Sequence, residues 1–369
     1  MIIRRIGVSG FRNLVEQNID LSRNVNLFTG GNGQGKTNLI EAVYLLSTLR
    51  SFRTSRVKEV ICWGKEKVSI RGLVEHGDAP AELRLEISAA GRKLWLGGNQ
   101  LTSINDYLGK LKAVAFTPDD LRMVKEGPSI RRRFMDSSVF LFEPVHLDVV
   151  REFNRALRSR NRLLKGATRP DGDVLDSFTQ AMSRSGARIS ASRKKLVKEL
   201  EGRAAAILAA MDGGEKRLEL KFGCDWKAKE DGTAEELYER LKRVEDEDIR
   251  RRTTTAGPHH DDFEILLDGE PARKYGSQGQ QRSCAIALLL AIVERALEKG
   301  EEKPVILLDD VSSELDAERR KHLFERVSSY RCQILVTTTE NELLQEYLAE
   351  TDVGTAYKVE DGKLAQQEN

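Results

Sequence analysis

An apolar run, Val25-Asn-Leu-Phe-Thr29, stops at a glycine-rich loop, and a helical pattern begins directly behind Lys36. Gly30 and Gly35 bracket four residues ahead of Lys36 and Thr37, which is the full G-x-x-x-x-G-K-[ST] spacing of a phosphate-binding loop. The pattern predicts strand, loop, helix, and so an α/β fold. Glycines let backbone N–H groups wrap a triphosphate without a Cβ clash, and the helix N-terminus behind them adds its positive dipole end. Lys36 is placed to reach the β- and γ-phosphates, and Thr37 to offer its hydroxyl to Mg²⁺. A glycine turn between strand and helix can be purely structural, but the Lys-Thr pair with these flanks favours an ATP site.

The 369 residues suffice for one large or two ordinary domains, and 40% hydrophobic with 32% charged residues is an ordinary soluble balance. A net charge of only +2 announces no nucleic-acid partner in bulk, so any basic surface must arise by local clustering. Cys62, Cys224, Cys284 and Cys332 stand singly, without zinc or redox spacing, as reduced thiols of a cytosolic protein would. Met1 to Gly10 has no signal-peptide core, and the longest apolar stretch, Cys284 to Val293, is about half a membrane span. The expectation is a cytoplasmic protein with no membrane partner.

Three stretches differ in texture. Residues 1–118 are strand-rich: an opening strand through Ile2, Ile3, Ile6 and Val8, a return strand at Ile19 to Leu21, and further strands at Val68 to Val74, Leu83 to Ile87, Leu94 to Leu96 and Val114 to Phe116. Leu39, Val43, Leu46 and Leu49 recur at helical spacing, so the helix behind the loop should bury one face against a sheet. Thr117 or Asp119 is positioned to cap a helix around Pro118. Residues 119–252 read as a mostly helical lobe with loops at Gly166 to Asp173 and Gly213-Gly214. Basic residues crowd it at Arg151, Arg155, Arg158, Arg160, Arg162 and Lys165, and again at Arg184, Arg188, Arg193, Lys194, Lys195 and Lys198; solvated helix faces are the default reading, a phosphate-binding surface the sharper one. In residues 253–369 strands return at Phe263 to Leu267, Val305 to Leu308 and Ile334 to Val336, with helices at Gln280 to Leu297, Ala317 to Tyr330 and Glu342 to Ala349. This alternation predicts a parallel or mixed sheet to which both chain ends contribute, around the helical insert.

Val305-Ile-Leu-Leu-Asp309-Asp310 is a buried strand delivering two carboxylates at its C-terminal end, where ligands sit in open α/β sheets. Asp309 is assigned to Mg²⁺ and Asp310 to orienting or deprotonating an attacking water. Ser313-Glu-Leu-Asp316 follows, and Tyr275-Gly-Ser277-Gln-Gly279-Gln280-Gln-Arg282 opens the long helix upstream. Together these resemble the S-x-L-D loop and the serine-glycine signature of ABC-type ATPases. In that class the signature helix faces the γ-phosphate held by the other subunit, so the complete site exists only in a dimer, and a lone subunit hydrolyses poorly.

The interval from Lys36 to Asp309 is wider than in a transporter ATPase, yet leaves no room for the long coiled coils of chromosome-structuring ATPases. Gly10-Phe-Arg-Asn-Leu14, the phosphate loop, Phe116-Thr-Pro-Asp-Asp-Leu121 with Arg131-Arg-Arg-Phe-Met-Asp136, and Gly257-Pro-His-His-Asp-Asp262 leading into Gly276-Ser-Gln-Gly-Gln-Gln-Arg282 carry a closer likeness. Over nearly its whole length the chain resembles the RecF family of bacterial recombinational-repair ATPases. The resemblance implies an ABC/SMC-type P-loop ATPase head with a mixed-sheet core and a helical second lobe. It implies a weak, DNA-stimulated ATPase that dimerises across ATP and Mg²⁺ and engages duplex DNA at single-stranded gaps. It also implies RecR, with RecO, as partners, and RecA loading as the outcome. By position, Arg12, Asn13 and the run Gly30, Gly31, Asn32, Gly33, Gln34, Gly35, Lys36, Thr37 and Asn38 fall to the nucleotide. Ser277, Gly279 and Gln280 fall across the dimer, with Ser277 and Lys36 acting beside Asp310 in catalysis, and Asp316 signals between subunits.

Position 260 is His where the family pattern usually has Arg. Thr337-Thr-Thr339 stands where transporters carry a switch histidine, no glutamine takes the Q-loop place, and Asp310 replaces the usual Glu. His259-His-Asp-Asp262 makes a poor metal site, because adjacent residues of an extended chain point to opposite faces. Of the competing readings, a transporter subunit lacks a membrane span, a nuclease-associated DNA-end-processing head lacks its coiled coil, and a nucleotide-independent DNA scaffold ignores the phosphate loop.

Overall fold

A computed structural model describes residues 1–54, 56–76, 79–166, 170–224, 226, 232–298, 302–310, 315–339 and 353–367. The expected helix Glu342 to Ala349 and residues Ser313 and Glu314 lie outside the described residues. In chain order the elements are β1 (Ile2–Ser9), β2 (Gln17–Asp20), β3 (Val25–Thr29), α1 (Lys36–Thr48), β4 (Lys67–His76), β5 (Ala79–Ser88), β6 (Gly91–Leu96), β7 (Asn99–Leu101), β8 (Ala113–Phe116) and α2 (Pro118–Leu121). Then come α3 (Pro128–Phe142), α4 (His146–Leu164), α5 (Gly172–Asp212), β9 (Leu218–Gly223), α6 (Ala234–Arg243), α7 (Glu245–Arg251), β10 (Asp262–Leu267), β11 (Glu270–Pro271), α8 (Ala272–Tyr275) and α9 (Gln278–Glu298). The chain ends with β12 (Val305–Asp309), α10 (Ala317–Ser329), β13 (Ile334–Thr338), β14 (Val353–Glu360) and β15 (Lys363–Gln367). It divides into two compact units, Met1–Leu121 with Leu288–Asn369, and Arg122–Ala287.

The first unit holds two six-stranded sheets. One runs β2-β1-β4-β5-β6-β7 with antiparallel pairing throughout, and the other runs β15-β14-β3-β13-β12-β8. In the second sheet β14, β3, β13, β12 and β8 are parallel and only β15 runs against its neighbour. β3, β12 and β13 are buried at every position, as central parallel strands covered on both faces must be. Helix α1 lies between the sheets, touching β8, β12 and β13 on one side and β4 and β5 on the other. Leu39, Ile40, Ala42, Val43, Leu45 and Leu46 are consequently all fully buried. This corrects the expectation of one buried face: the apolar residues surround the helix because two sheets, not one, cover it. Gly72 of β4 makes the second contact possible, since a Cβ there would meet Leu46 Cδ2 at 2.5 Å.

The register brings the site together. β12 pairs with β13 so that Asp309 faces Thr337, and β13 pairs with β3 so that Thr338 faces Thr29. The C-terminal ends of three buried strands therefore meet immediately ahead of the phosphate loop, at the crevice where such sheets bind ligands.

The second unit is helical around α5, a 41-residue helix capped by Asp171 at its start and closed by left-handed Gly213 at the expected loop. Val149, Phe153, Met182, Ile189, Leu237 and Leu241 form its core, and Gly186 lets α6 approach closely, a Cβ there lying 2.7 Å from Leu237 Cδ2. One strand the composition hid, β9, pairs with β10, and β10 with β11, so residues 253–287 group with the helices. The division accordingly falls after Ala287, whereas texture alone suggested a change after Arg252.

Two of the family-like segments lock together inside this unit. Arg131 forks onto Asp262, with both bonds at 2.7 Å, and also donates to the carbonyls of Met123 and Glu126. Arg193 forks onto Asp136 at 2.9 Å and donates to Asp261 and to the Pro258 carbonyl. Burial alone would raise the Asp136 carboxyl; Arg193 and a hydrogen bond from His146 instead hold it far below the usual carboxylate range. Arg160, fully buried, donates to Asp248, Thr179 and Thr254. Arg160 and Arg193 therefore leave the candidate DNA-facing set. Arg155, Arg158 and Arg162 on α4, Lys165 at its end, and Arg184, Arg188, Lys195 and Lys198 on α5 are exposed. His259 and His260 do not point to opposite faces as an extended chain would require: Pro258–His260 is a 3-10 turn, and the rings lie 4.2 Å apart. Among the described residues no group of three or more His, Cys, Asp or Glu is arranged to hold a metal.

Candidate nucleotide-binding site

The phosphate loop connects β3 to α1. Gly30, Gly33 and Gly35 take φ of 153°, 79° and 115°, and a Cβ on Gly30 would come within 2.3 Å of the Val359 carbonyl. Glycine is obligatory at Gly30 for space and at Gly35, the residue capping α1, for conformation. Lys36 is 6% exposed, and its ammonium donates to the carbonyls of Gly30 at 2.6 Å and Gly31 at 2.9 Å. Burial pushes it below its usual pKa, against the pull of Asp310 and Asp309. An oxyanion entering beside Lys36 would relieve that desolvation.

Thr37 Oγ1 donates to Asp309 Oδ1 at 2.9 Å, and Thr337 Oγ1 donates to the same oxygen at 2.9 Å. Burial raises the Asp309 carboxyl above its ordinary range; the two threonine hydrogen bonds oppose the shift and the neighbouring Asp310 charge adds to it. A hydroxyl and a carboxylate in contact at the end of β12 fit the protein share of a Mg²⁺ sphere, which otherwise draws on water and phosphate oxygens. Asp310 sits at φ 48°, and its N–H is held by the Thr337 carbonyl at 3.2 Å and hydroxyl at 3.0 Å. Left-handed backbone at a non-glycine residue is maintained by such surroundings and often marks function.

Arg12 and Asn13 belong to the same cleft. Arg12 forks onto buried Glu41 of α1 at 2.5 and 2.7 Å, and Glu41 also accepts from Ser51 and lies 3.7 Å from Arg53. Arg53 donates to Asn38, Asn38 to Asn13, and Asn13 to the Gly33 carbonyl, closing a chain of polar contacts around the loop. Of the residues assigned to the nucleotide, Arg12, Asn13, Asn32, Gly33, Gly35 to Asn38, Asp309 and Asp310 line one cleft of about 790 Å³, and Gly30, Gly31 and Gln34 are not part of its lining. Phe52, Arg53, Glu59 to Trp63 except Val60, and Thr117 to Asp119 join them. Thr117 is the residue that caps the turn at Pro118: its hydroxyl accepts from the Asp120 N–H while Asp120 accepts from the Thr117 N–H.

Three groups were missed in the sequence. Thr337 looked like a strand end without a switch histidine; its hydroxyl in fact orients Asp309. Glu41 was one polar position on an apolar helix. The β14–β15 hairpin went unread, although Asp361-Gly362 between alternating residues is the strongest short hairpin signal. Its turn supports the loop, Gly362 N–H donating to the Gln34 carbonyl at 2.9 Å and Asp361 N–H to Gln34 Oε1 at 2.5 Å.

Ser277, Gly279 and Gln280 belong to the other compact unit. Ser277 is exposed; its hydroxyl accepts from the Gln280 N–H at 3.2 Å, and Gln280 Oε1 accepts from the Ser277 N–H at 2.8 Å. The stretch is a capped helix start, and Gln281 ties it back to the carbonyls of Ala272 and Gly276. Asp316, in the first unit, is exposed and caps α10 by accepting from the Arg319 N–H at 3.0 Å.

Residues 2–363 match the RecF/RecN/SMC N terminal domain family. A DNA replication and repair protein RecF from Geotalea daltonii is 33% identical over 99% of this chain and 100% of its own length. Another, from Myxococcus xanthus, is 37% identical over 94% and 92%. The structure superposes on the recombination mediator protein RecF bound to ATPrS, of the RecFOR pathway, with a TM-score of 0.88 at 32% identity, covering 99% of this chain and 98% of that one. A second recombination mediator protein RecF structure of that pathway, with ATP, gives 0.87 at 33%, covering 100% and 98%. An Smc head bound to a winged-helix domain of ScpA shares the fold at 17% identity and a TM-score of 0.56, covering 100% and 98%. A complete phosphate loop over a Thr37–Asp309 pair, on a full-length match in sequence and structure, places this chain in the RecF family of ABC/SMC-type ATPases.

Proposed function

We propose that this chain is an ATP-gated DNA-binding protein of recombinational repair and replication-fork maintenance. In this reading ATP joins two copies on duplex DNA at single-stranded gaps, and slow, DNA-stimulated hydrolysis releases them. The observation that carries the reading is the 2.9 Å contact of Thr37 with Asp309, in a cleft that Lys36 also lines. The relatives support it: they are named for DNA replication and repair, and solved RecF structures hold ATP and ATPrS.

The backbone N–H groups of the loop from Gly31 to Thr37 would cradle the phosphates, and Lys36 would exchange the Gly30 and Gly31 carbonyls for phosphate oxygens. Thr37 and Asp309 would hold Mg²⁺, which supplies charge neutralisation at the β- and γ-oxygens. Asp310 would orient the attacking water and take its proton, its backbone fixed by Thr337. Ser277, Gly279 and Gln280 of a second copy would bring a helix N-terminus to the γ-phosphate, and Asp316 would report closure between subunits. Arg12, Asn13 and Asn38, already joined by hydrogen bonds and the Glu41–Arg53 ion pair, would present a preset wall to the nucleotide. DNA would lie on the exposed basic residues of α4 or α5, and RecR with RecO would use the DNA-bound dimer to load RecA.

Fluorescence anisotropy with a gapped duplex, with and without ATP, tests the gating. The wild type should bind more tightly with ATP and lose affinity steeply with salt, and Lys36→Met should not respond to ATP. Equal DNA affinity with and without ATP would remove the gate.

A further inference from the structure

Among the described residues two aromatic side chains stand exposed to solvent, Trp63 at 98% and Tyr275 at 69%. One lies on each of the two surfaces that a shared ATP site would bring together: Trp63 lines the nucleotide cleft, and Tyr275 stands just ahead of Ser277. The charges around them are opposite. Arg273 and Lys274, beside Tyr275, are exposed, and among the described residues neither pairs with a carboxylate. Their turn is fastened to the start of α9. Gly276 N–H donates to the Ala272 carbonyl at 3.0 Å, and the Gln281 amide donates to the carbonyls of Ala272 at 3.1 Å and Gly276 at 3.0 Å. A Cβ on Gly276 would lie 2.7 Å from the Ala272 carbonyl oxygen, so glycine keeps the turn closed. Wherever Ser277 docks, Arg273 to Tyr275 dock with it.

The cleft offers the complement. Asp119 is exposed and, among the described residues, meets no cation, because its neighbour Asp120 takes the capping role at Thr117. Glu59 is exposed as well, accepts from the Thr54 hydroxyl at 2.6 Å and lies 3.9 Å from Arg56. Carboxylates outnumber cations in the lining: Glu59, Asp119, Asp309 and Asp310 against Lys36, Arg53 and an Arg12 already paired with Glu41. Bound Mg²⁺–ATP is itself an anion and would make the cleft more negative still, which favours the approach of a cationic turn.

We propose that Arg273, Lys274 and Tyr275 of a second copy dock on the cleft margin at Glu59, Trp63 and Asp119, flanking Ser277. The inference rests on the reading that Ser277 of one copy completes the ATP site of another. Two-fold symmetry makes the contact twice per dimer, and the two exposed aromatic residues then cover apolar surface that each copy alone leaves in water.

Sedimentation velocity with ATP compares the full-length wild type with Arg273→Glu/Lys274→Glu, with Glu59→Lys/Asp119→Lys, and with the variant carrying all four substitutions. Either pair of reversals sets like charges against each other and should weaken the ATP dimer roughly tenfold or more. The four-substitution variant should recover most of that loss, a result misfolding cannot produce. Tyr275→Ala should weaken the dimer roughly tenfold as well, as truncation of an aromatic anchor predicts, and the wild-type dimer should loosen as salt rises. A wild type that stays monomeric with ATP would remove the shared-site reading itself. A wild-type ATP dimer that neither pair of reversals weakens, or a four-substitution variant no better than either pair, overturns this docking contact and leaves that reading standing.

Discussion

Thr337→Val removes a single hydroxyl and keeps the shape of the side chain. In the wild type that hydroxyl donates to Asp309 Oδ1 at 2.9 Å and accepts from the Asp310 N–H at 3.0 Å. The Asp310 N–H keeps the Thr337 carbonyl at 3.2 Å, and Asp309 keeps the Thr37 hydroxyl at 2.9 Å. The net loss is one hydrogen bond to a buried carboxylate, worth about 1.5–3 kcal/mol when the carboxylate is ionised. At 1.4 kcal/mol per decade this weakens Mg²⁺ binding to the ATP-bound protein roughly tenfold to a hundredfold, the range typical of outer-shell partners of a metal site. The effect has a sign in pH as well. Burial raises the Asp309 carboxyl above its ordinary value, so protons should compete with the Mg²⁺ proposed there and metal affinity should fall as pH falls. Without the Thr337 donor the carboxyl shifts further up, and the loss of Mg²⁺ affinity begins at a higher pH than in the wild type. Calorimetric Mg²⁺ titration of the ATP complex across pH measures both quantities, with ATP affinity in EDTA as the control expected to stay constant. An unchanged Mg²⁺ affinity and an unmoved pH midpoint would show that Thr337 does not orient Asp309.

Gly362→Ala should weaken ADP binding, because φ 76° and a Cβ 2.0 Å from the Asn13 carbonyl force the hairpin away from Gln34; unaltered ADP affinity and melting temperature would count against that support. Arg193→Met leaves the Asp136 carboxylate buried without its bidentate partner and should cost about 3–5 kcal/mol in urea unfolding. A loss under about 1 kcal/mol would mean the network is dispensable. His259 is lowered to about 4 by burial, so the unfolded chain binds more protons than the folded one between that value and 6.5. The stabilisation from keeping it neutral should be complete above pH 6.5 and disappear as pH falls towards 4, a slope that His259→Phe removes; the same slope in the variant would assign it to other groups.

What the sequence revealed and hid follows from the range of the interactions involved. Gly30 to Thr37 was legible because the phosphate loop is a local device, its glycine conformations and lysine spacing all set within eight residues. Asp309 was legible as the end of a continuous apolar strand. Their 2.9 Å contact depends on β12 and β3 sharing β13 as a neighbour, which no local pattern encodes. Glu41 looked like ordinary helix polarity, and only the second sheet packed on α1 makes it a buried anchor for Arg12. Arg160 and Arg193 were indistinguishable from their exposed neighbours in composition; the carboxylates that neutralise them lie 88 and 57 positions away. β9 was concealed by its charged flanks and found a partner only in β10. The 3-10 turn at Pro258–His260 reversed the expected directions of the two histidines because Gly257, at φ 125°, leads into it.

The central claim is that the phosphate loop is half of a site that a second copy's Ser277 completes. Sedimentation velocity with ATP, ADP and no nucleotide, on the wild type and Ser277→Arg, tests it most directly. A shared site requires dimers of the wild type with ATP alone, and monomers of Ser277→Arg in every condition with ATP affinity retained, since the exposed arginine would block only the facing phosphate. Wild-type dimers that form equally without ATP, or an ATP-dependent dimer undiminished in Ser277→Arg, would contradict it.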